Sequence, residues 1–473
     1  MLERMRTAFL ATAFCLGSIA FAADRFAVDW PKLESETMDY YTSVIKIDTS
    51  NPPGDETKVV NYLKPILDRA GIPNEVLALD PKRANLVARI KGNGTKRPLI
   101  IMGHTDVVGV QRETWPQGID PFAAFRKDGF VWGRGTSDDK SHVASCLMTM
   151  LLLKRLNVPL DRDVIFIAES GEEGSANFGI GFLVNQHWNE IEGEYALAEG
   201  GQTVSRDGKI RYVGISTTEK SPRGARLVAK GTAGHGSRPR PDNAILHVAA
   251  AVSKFQNWQP PMRLNDTTRT YFERLATISP PDQAYRYNHV ADPAHSEEIQ
   301  RYFLEHEQPN YSVLRTSIVP TIIQGGFRTN VIPSQAEATL DIRALPDENM
   351  DQLYAEMKRV INDPAVELVT NASRNRPIAQ PSRIDTEMFR ALERTQKRMY
   401  PDAVTIPVML TGATDMAQLR GKGVQAYGFG ATADESENDL HGPHSDQERM
   451  LESSIHKMVQ FLWYTVLDIA ASK

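Results

Sequence analysis

Short runs of consecutive apolar residues alternate along this chain with longer segments in which apolar residues recur every three or four positions. The runs Asn85 to Ile90, Pro98 to Met102, Val164 to Ala168, Tyr195 to Ala198 and Val404 to Leu410 have the length and content of buried strands. The periodic segments read as helices: most of 36 to 71, broken by a Thr49-Ser-Asn-Pro-Pro-Gly54 loop, then Ser141 to Leu156, and 386 to 399. A last helix is expected over 449 to 469, where Met458, Phe461, Leu462 and Val466 fall at helical spacing. Strands alternating with helices predict an α/β sheet whose loops gather at the strands' carboxyl ends, where sites form.

After Ser216 the pattern changes. A strand over Ala225 to Lys230 and a helix over Ala244 to Phe255 come first. Strands around Val313 to Ile323 and Ala336 to Ala344 follow, and then a helix over Met350 to Ile361. Two units of this kind predict a small α+β domain, 217–384, inserted in a larger domain made of 23–216 and 385–473. At 473 residues the chain is too long for one ordinary core.

The first residues are expected to stand outside the fold. Arg4 and Arg6 precede an apolar run, Thr7 to Phe21, and Ala20-Phe21-Ala22 has the small-x-small pattern of a cleavage site. This layout predicts a signal peptide over 1–22 and an exported protein, periplasmic or secreted, with no membrane association once the signal is removed. One cysteine, Cys146, then remains, in an apolar helical segment that suits a buried structural thiol. Any metal must therefore be held by His, Asp and Glu. A net charge of −5 without a basic, aromatic-interleaved stripe argues against nucleic-acid binding.

The chemistry concentrates where the apolar runs end. Val164 to Ala168 leads through Gly171 to Glu172 and Glu173, adjacent carboxylates that repel each other unless a cation sits beside them. A solvated acidic turn would read the same. Pro98 to Met102 leads to Gly103-His104-Thr105-Asp106, where period-two alternation puts His104 and Asp106 on one face. Asp106 is expected to fix the orientation of the His104 ring, as carboxylates do behind metal-bound histidines. Asp138 lies near a helix start, where capping is the plain alternative. Glu199 closes the Tyr195 run.

Together these blocks resemble the dinuclear zinc metallopeptidases that include aminoacylases, carboxypeptidase S, glutamate carboxypeptidases and desuccinylases. The resemblance is carried by Gly103-His-Thr-Asp106, Gly133-Arg-Gly-Thr-Ser-Asp138-Asp-Lys140, Glu172-Glu173-Gly174, Glu199-Gly200 and His444-Ser-Asp-Gln-Glu448, in that order. It implies a mixed sheet flanked by helices, with an inserted lid that often mediates dimerisation. It also implies two zinc ions, with cobalt or manganese as alternatives. Asp138 would bridge them, His104 and Glu199 completing one site and Glu173 and His444 the other, with Glu172 as general base. His441 rivals His444, although only His444 has the His-x-x-x-Glu-Arg spacing.

In the insert, the resemblance gives His235 a role on the oxyanion, in a neighbouring subunit's site. It gives Asn330, Arg343 and the Gly412 turn contacts to the substrate's backbone or carboxylate; arginine's planar fork suits a carboxylate. The stretch 262 to 311, with Arg315-Thr-Ser-Ile-Val-Pro320, looks most like the carboxypeptidase S and N-acyl-amino-acid hydrolase branch. The implied activity is hydrolysis of an amide bond next to a free carboxylate, in a short peptide or an N-acyl amino acid. Rival readings are a non-catalytic peptide-binding protein on the same scaffold and a metal-dependent aminopeptidase.

Overall fold

Val164–Glu169, the run that precedes the paired glutamates, is buried along its whole length because it has a strand on either side. The computed structural model describes residues 25–371 and 376–472; the expected signal over 1–22 lies outside them. Val164–Glu169, Leu99–His104, Tyr195–Ala198 and Gln425–Gly428 are neighbouring parallel strands at the centre of a ten-stranded mixed sheet. Ala84–Ile90 and Asn74–Ala78 extend one side antiparallel. Lys209–Glu219 begins the other side, flanked by Gln202–Arg206 and, in parallel, by Val404–Leu410.

Helix Lys140–Arg155 is buried almost all round, which explains why its apolar residues do not keep to one stripe. It is packed between the sheet and the helices Trp30–Ile45 and Glu452–Ala470. Ile180–Gln186 and Met416–Gly421 cover the opposite face of the sheet. Cys146, on helix Lys140–Arg155, is buried as a free thiol. No helix among the described residues is long and apolar enough to cross a membrane.

A single residue, Lys220, separates Lys209–Glu219 from Ser221–Lys230, the first strand of a second sheet. That sheet is four-stranded and antiparallel, in the order Ser317–Gly325, Gln335–Ala344, Ser221–Lys230, Val366–Asn371, with helices Ala244–Asn257 and Met350–Ile361 in its core. The stretch 262 to 311 departs from the sequence expectation. It forms helices Asp266–Ala276, Pro281–His289, Ser296–His306 and Gln308–Val313, the first of which packs on Val404–Leu410 of the catalytic sheet while the others gather on it. Phe272, Tyr287 and Phe303 make an aromatic stripe that needs cover, and Tyr212 and the strand Val404–Leu410 supply it.

Lys220 itself is fully buried, with its Nζ donating to Ser312 O (3.0 Å), Ser312 Oγ (3.2 Å) and Ser317 Oγ (2.9 Å). Burial holds its ammonium down to about 7. Between that value and the unfolded one, about 10.4, the unfolded chain binds more protons. Stability attached to this residue therefore rises with pH across that window, and the cost of the buried charge is complete below it. Lys220→Met is expected to raise the melting temperature most near pH 6 and to lose that gain toward pH 10. A difference that stays constant with pH would contradict the assignment.

Candidate active site

The site is built where the parallel strands end. His104 is the last residue of its strand, Glu199 directly follows Tyr195–Ala198, and Glu172 and Glu173 lie in the turn beyond Val164–Glu169. Gly171 takes a left-handed φ of 82° in that turn, and a Cβ there would meet Ser175 O at 2.4 Å. A Cβ at Gly174 would meet the Asn51 side chain at 2.4 Å. The turn is therefore closed to larger residues.

Asp106 organises this turn more than it organises His104. Its carboxylate accepts from the amides of Gly171 (3.0 Å), Glu172 (3.1 Å) and Glu173 (3.1 Å) and from Asn51 Nδ2 (2.7 Å). The His104 Nδ1 lies 3.0 Å from the Asp106 carbonyl and 3.5 Å from its carboxylate. Residue 106 meets the ring chiefly through its backbone carbonyl. Acceptance from three amides fixes where Glu172 and Glu173 emerge.

Asp138 lies between two imidazoles, with its Oδ1 2.9 Å from His104 Nε2 and its Oδ2 3.2 Å from His444 Nε2. His444 Nε2 is also 3.0 Å from Glu173 Oε1, and His104 Nε2 is 3.8 Å from Glu199 Oε2. His441 is placed elsewhere: its Nδ1 lies 3.3 Å from Gln447 O and its ring lies edge-on to Trp132. Two overlapping sets of ligand atoms, His104–Asp138–Glu173 and His104–Asp139–Glu199, lie within 4.8 Å of one another. Asp139 is already engaged by His142 Nδ1 and by the His104 amide, so Asp138 is the carboxylate that faces both imidazoles.

The loop that carries Asp138 is shaped by Glu448, which is completely buried. Its carboxylate accepts from Arg134 Nη1 (2.8 Å), from the amides of Gly135 (3.0 Å) and Ser137 (2.9 Å), and from Ser137 Oγ (2.9 Å). Arg134 Nη2 in turn donates to His444 O at 3.3 Å. His444 has a left-handed backbone (φ 66°), unusual for a residue with a side chain, and that conformation persists only when its surroundings hold it.

The electrostatics show a site short of positive charge. Burial raises the carboxyls of Glu199, Glu173 and Glu172, the last to about 8 against the pull of Arg376. Burial alone would lower His104, but hydrogen bonds with Asp106 and Asp138 hold it well above the usual imidazole range. Bonds to Asp138 and Glu173 raise His444 to about 10. Behind the cluster Glu169 is pushed up by burial and by Asp415, and Asp415 is raised by burial in turn. So many buried acids beside so few permanent cations fit a donor set for metal ions.

Four expected residues are not brought to this cluster within the chain. His235 is exposed, with its Nδ1 2.8 Å from Ser237 Oγ, and Asn330 is exposed beside it, its carbonyl accepting from the Gly236 amide. Arg343 is paired through two bonds with Asp341 (2.8 and 3.1 Å), and Gly412 lies in an exposed turn with open space where a Cβ would go. Sequence reasoning gave no role to Asn51, Arg134, Asp139, His142, Glu169, Arg376, Asp415 or Glu448. Several partner one another or the ligands across more than two hundred residues, a relation that no local spacing carries. Arg134, Asp139 and Glu448 did have a local signal, since they lie within the Asp138 and His444 blocks.

Histidines and carboxylates converging on Asp138 at the carboxyl ends of parallel strands make a donor set of the kind metal-dependent hydrolases use. The chain belongs to the peptidase family M20/M25/M40, whose model matches residues 100–468. It is 28% identical over 400 residues to the probable carboxypeptidase S-like 2 of Dictyostelium discoideum, covering 81% of this chain and 74% of that one. It is 29% identical over 332 residues to the N-fatty-acyl-amino acid synthase/hydrolase PM20D1 of Homo sapiens, covering 67% of this chain and 64% of that protein. Among solved structures, the M20 family metallo-carboxypeptidase Sso-CP2 from Sulfolobus solfataricus superposes with a TM-score of 0.68 at 18% identity, over 92% of this chain and 99% of that one. The chain is accordingly an enzyme of the metal-dependent peptidase and amidohydrolase kind.

Proposed function

We propose that the chain cleaves an amide bond next to a free carboxylate in a short substrate, with two divalent cations, zinc for preference, held by this cluster. Asp138 would serve both ions, His104 and Glu199 would hold one of them, and Glu173 and His444 the other. The observation that carries this reading is Asp138, with one oxygen toward each imidazole. When bound, the ions would supply the positive charge that acidifies a water and stabilises a developing oxyanion. Glu172 stays off the ions, takes the water's proton and passes it to the leaving amine.

Two substrate classes fit this chemistry. The carboxypeptidase or dipeptidase reading is favoured by the resemblance to carboxypeptidase S. The N-acyl amino acid reading is favoured by a cavity of about 520 Å³, lined by Tyr212, Val408, Leu410 and Met450 as well as by Asp138 and Glu199. Mainly apolar walls beside the reacting carboxylates suit an acyl group better than a charged amino terminus. No residue from 262 to 320 lines it. The zinc-loaded protein assayed on dipeptides and on N-acyl amino acids of increasing chain length separates the two. Rising kcat/KM with acyl length supports the second class, and turnover of free dipeptides alone supports the first.

His235 and Asn330 act here from a second copy of the chain. Val319 (52% exposed) and Ile322 (49%) on one face and Ile323 (60%) on the other leave the edge strand Ser317–Gly325 apolar and exposed. Long exposed edges of this kind call for a partner. Sedimentation should give a dimer, and Ile323→Glu should give monomers with reduced turnover. A fully active monomer would remove His235 from the mechanism.

A further inference from the structure

The linker that returns the chain from the inserted domain passes beside the carboxylate cluster. Val366–Asn371 is the last strand of the insert, helix Glu387–Met399 belongs again to the catalytic domain, and Arg376 lies between them. Its Nη2 donates to Glu172 Oε1 at 2.6 Å and to the Glu172 carbonyl at 3.2 Å. Its Nη1 lies 3.3 Å from Asp415 Oδ1. Both carboxylates are buried, and the guanidinium nearly so.

The backbone of Arg376 is tied to the other crossing between the domains. Its carbonyl accepts from Arg223 Nη2 (2.9 Å) and Ser221 Oγ (3.2 Å), and both donors belong to Ser221–Lys230, the strand that opens the insert. Arg223 is itself buried and spends its remaining bonds on Ser221 Oγ (2.6 Å) and Pro222 O (2.8 Å). The outgoing and returning linkers are thus fastened together at the residue whose side chain grips Glu172.

We propose that Arg376 is the positioning residue of Glu172: a linker-borne guanidinium that fixes the base's orientation and makes it depend on how the inserted domain sits. The proposal rests on the reading of Glu172 as general base. A charge-assisted bond to one carboxylate oxygen sets the plane of the group and so the direction of the other oxygen. Released from that bond, the Glu172 side chain gains torsional freedom, and a misplacement of ~1 Å in a reacting group can cost ~100-fold in rate. The Asp106 clamp fixes where Glu172 leaves the backbone; Arg376 fixes where its side chain ends.

The test uses the full-length, zinc-loaded protein and four variants: Arg376→Ala, Arg376→Lys, Arg223→Met and Glu172→Gln. Arg376→Ala is expected to lower kcat by roughly 10- to 100-fold, with KM little changed and bound metal unaltered. Guanidinium ion, added below denaturing concentrations, should restore part of the loss, and Arg376→Lys should fall between parent and Ala. Arg223→Met, which removes one of the two donors to the Arg376 carbonyl without touching Glu172, should lower kcat in the same direction by a smaller factor.

Unchanged kcat in Arg376→Ala would overturn the proposal. So would a rise in KM alone, which would assign the guanidinium to the substrate's carboxylate, or a loss accompanied by lost metal and no rescue, which would make its role structural. Unchanged kcat in Arg223→Met would overturn the dependence on the inserted domain. Turnover retained by Glu172→Gln would remove the base itself and this proposal with it. An inactive Glu172→Gln beside an unimpaired Arg376→Ala would remove this proposal alone.

Discussion

Glu172→Gln is expected to lose turnover by ~100- to 10,000-fold, the usual contribution of a general base, while keeping its metal. The amide is isosteric with the carboxylate and cannot accept a proton, so the turn, its three amide bonds to Asp106 and the neighbouring Glu173 stay in place. The substitution also replaces a charge-assisted bond from Arg376 with a neutral one, which changes side-chain position far less than it changes basicity. A chain that bound metal normally and still turned over within about tenfold of the parent would leave another group as the base.

Glu448→Ala is expected to destabilise the fold by about 3–5 kcal/mol and to loosen metal binding with it. The net worth of a buried ion pair is small, because both charges were taken out of water to form it. Removing one partner leaves the other uncompensated. Here the remaining charge is Arg134, 2% exposed, and the lost carboxylate also held the amides of Gly135 and Ser137, directly before Asp138. Denaturant unfolding checks the first part and a metal titration the second. Glu448→Gln, which keeps the shape and part of the bonding, should cost less. A change below about 1 kcal/mol for Glu448→Ala would place this pair among those that contribute little.

The parts of this protein that could be read from sequence are those written in local pattern. Val404–Leu410 and Met350–Ile361 stand where their apolar runs and periodicity predicted them, because period and length are properties of neighbours in the chain. His104, Glu173, Glu199 and Asp138 could be picked out because each closes or opens such an element. The helices between Asp266 and Val313 were not legible. Their apolar residues are aromatic and widely spaced, and what they pack on is a strand more than a hundred residues further on. The same holds for Arg376, whose partners Glu172 and Asp415 belong to other elements, and for the pairing of Arg134 with Glu448, 314 residues away. Asp106 was half legible: its position predicted a hold on His104, but three backbone amides compete for its carboxylate, and a sequence does not show where amides point.

The measurement that bears most directly on this account is the metal content of the purified protein, taken beside that of Asp138→Ala. Among the described residues Asp138 is the carboxylate within 4 Å of both histidines, so the account requires about two ions per chain in the parent and the loss of both in the variant. One ion surviving in Asp138→Ala would show that the aspartate does not join the two sites. No metal in the parent, even after zinc is supplied, would contradict the proposed chemistry altogether.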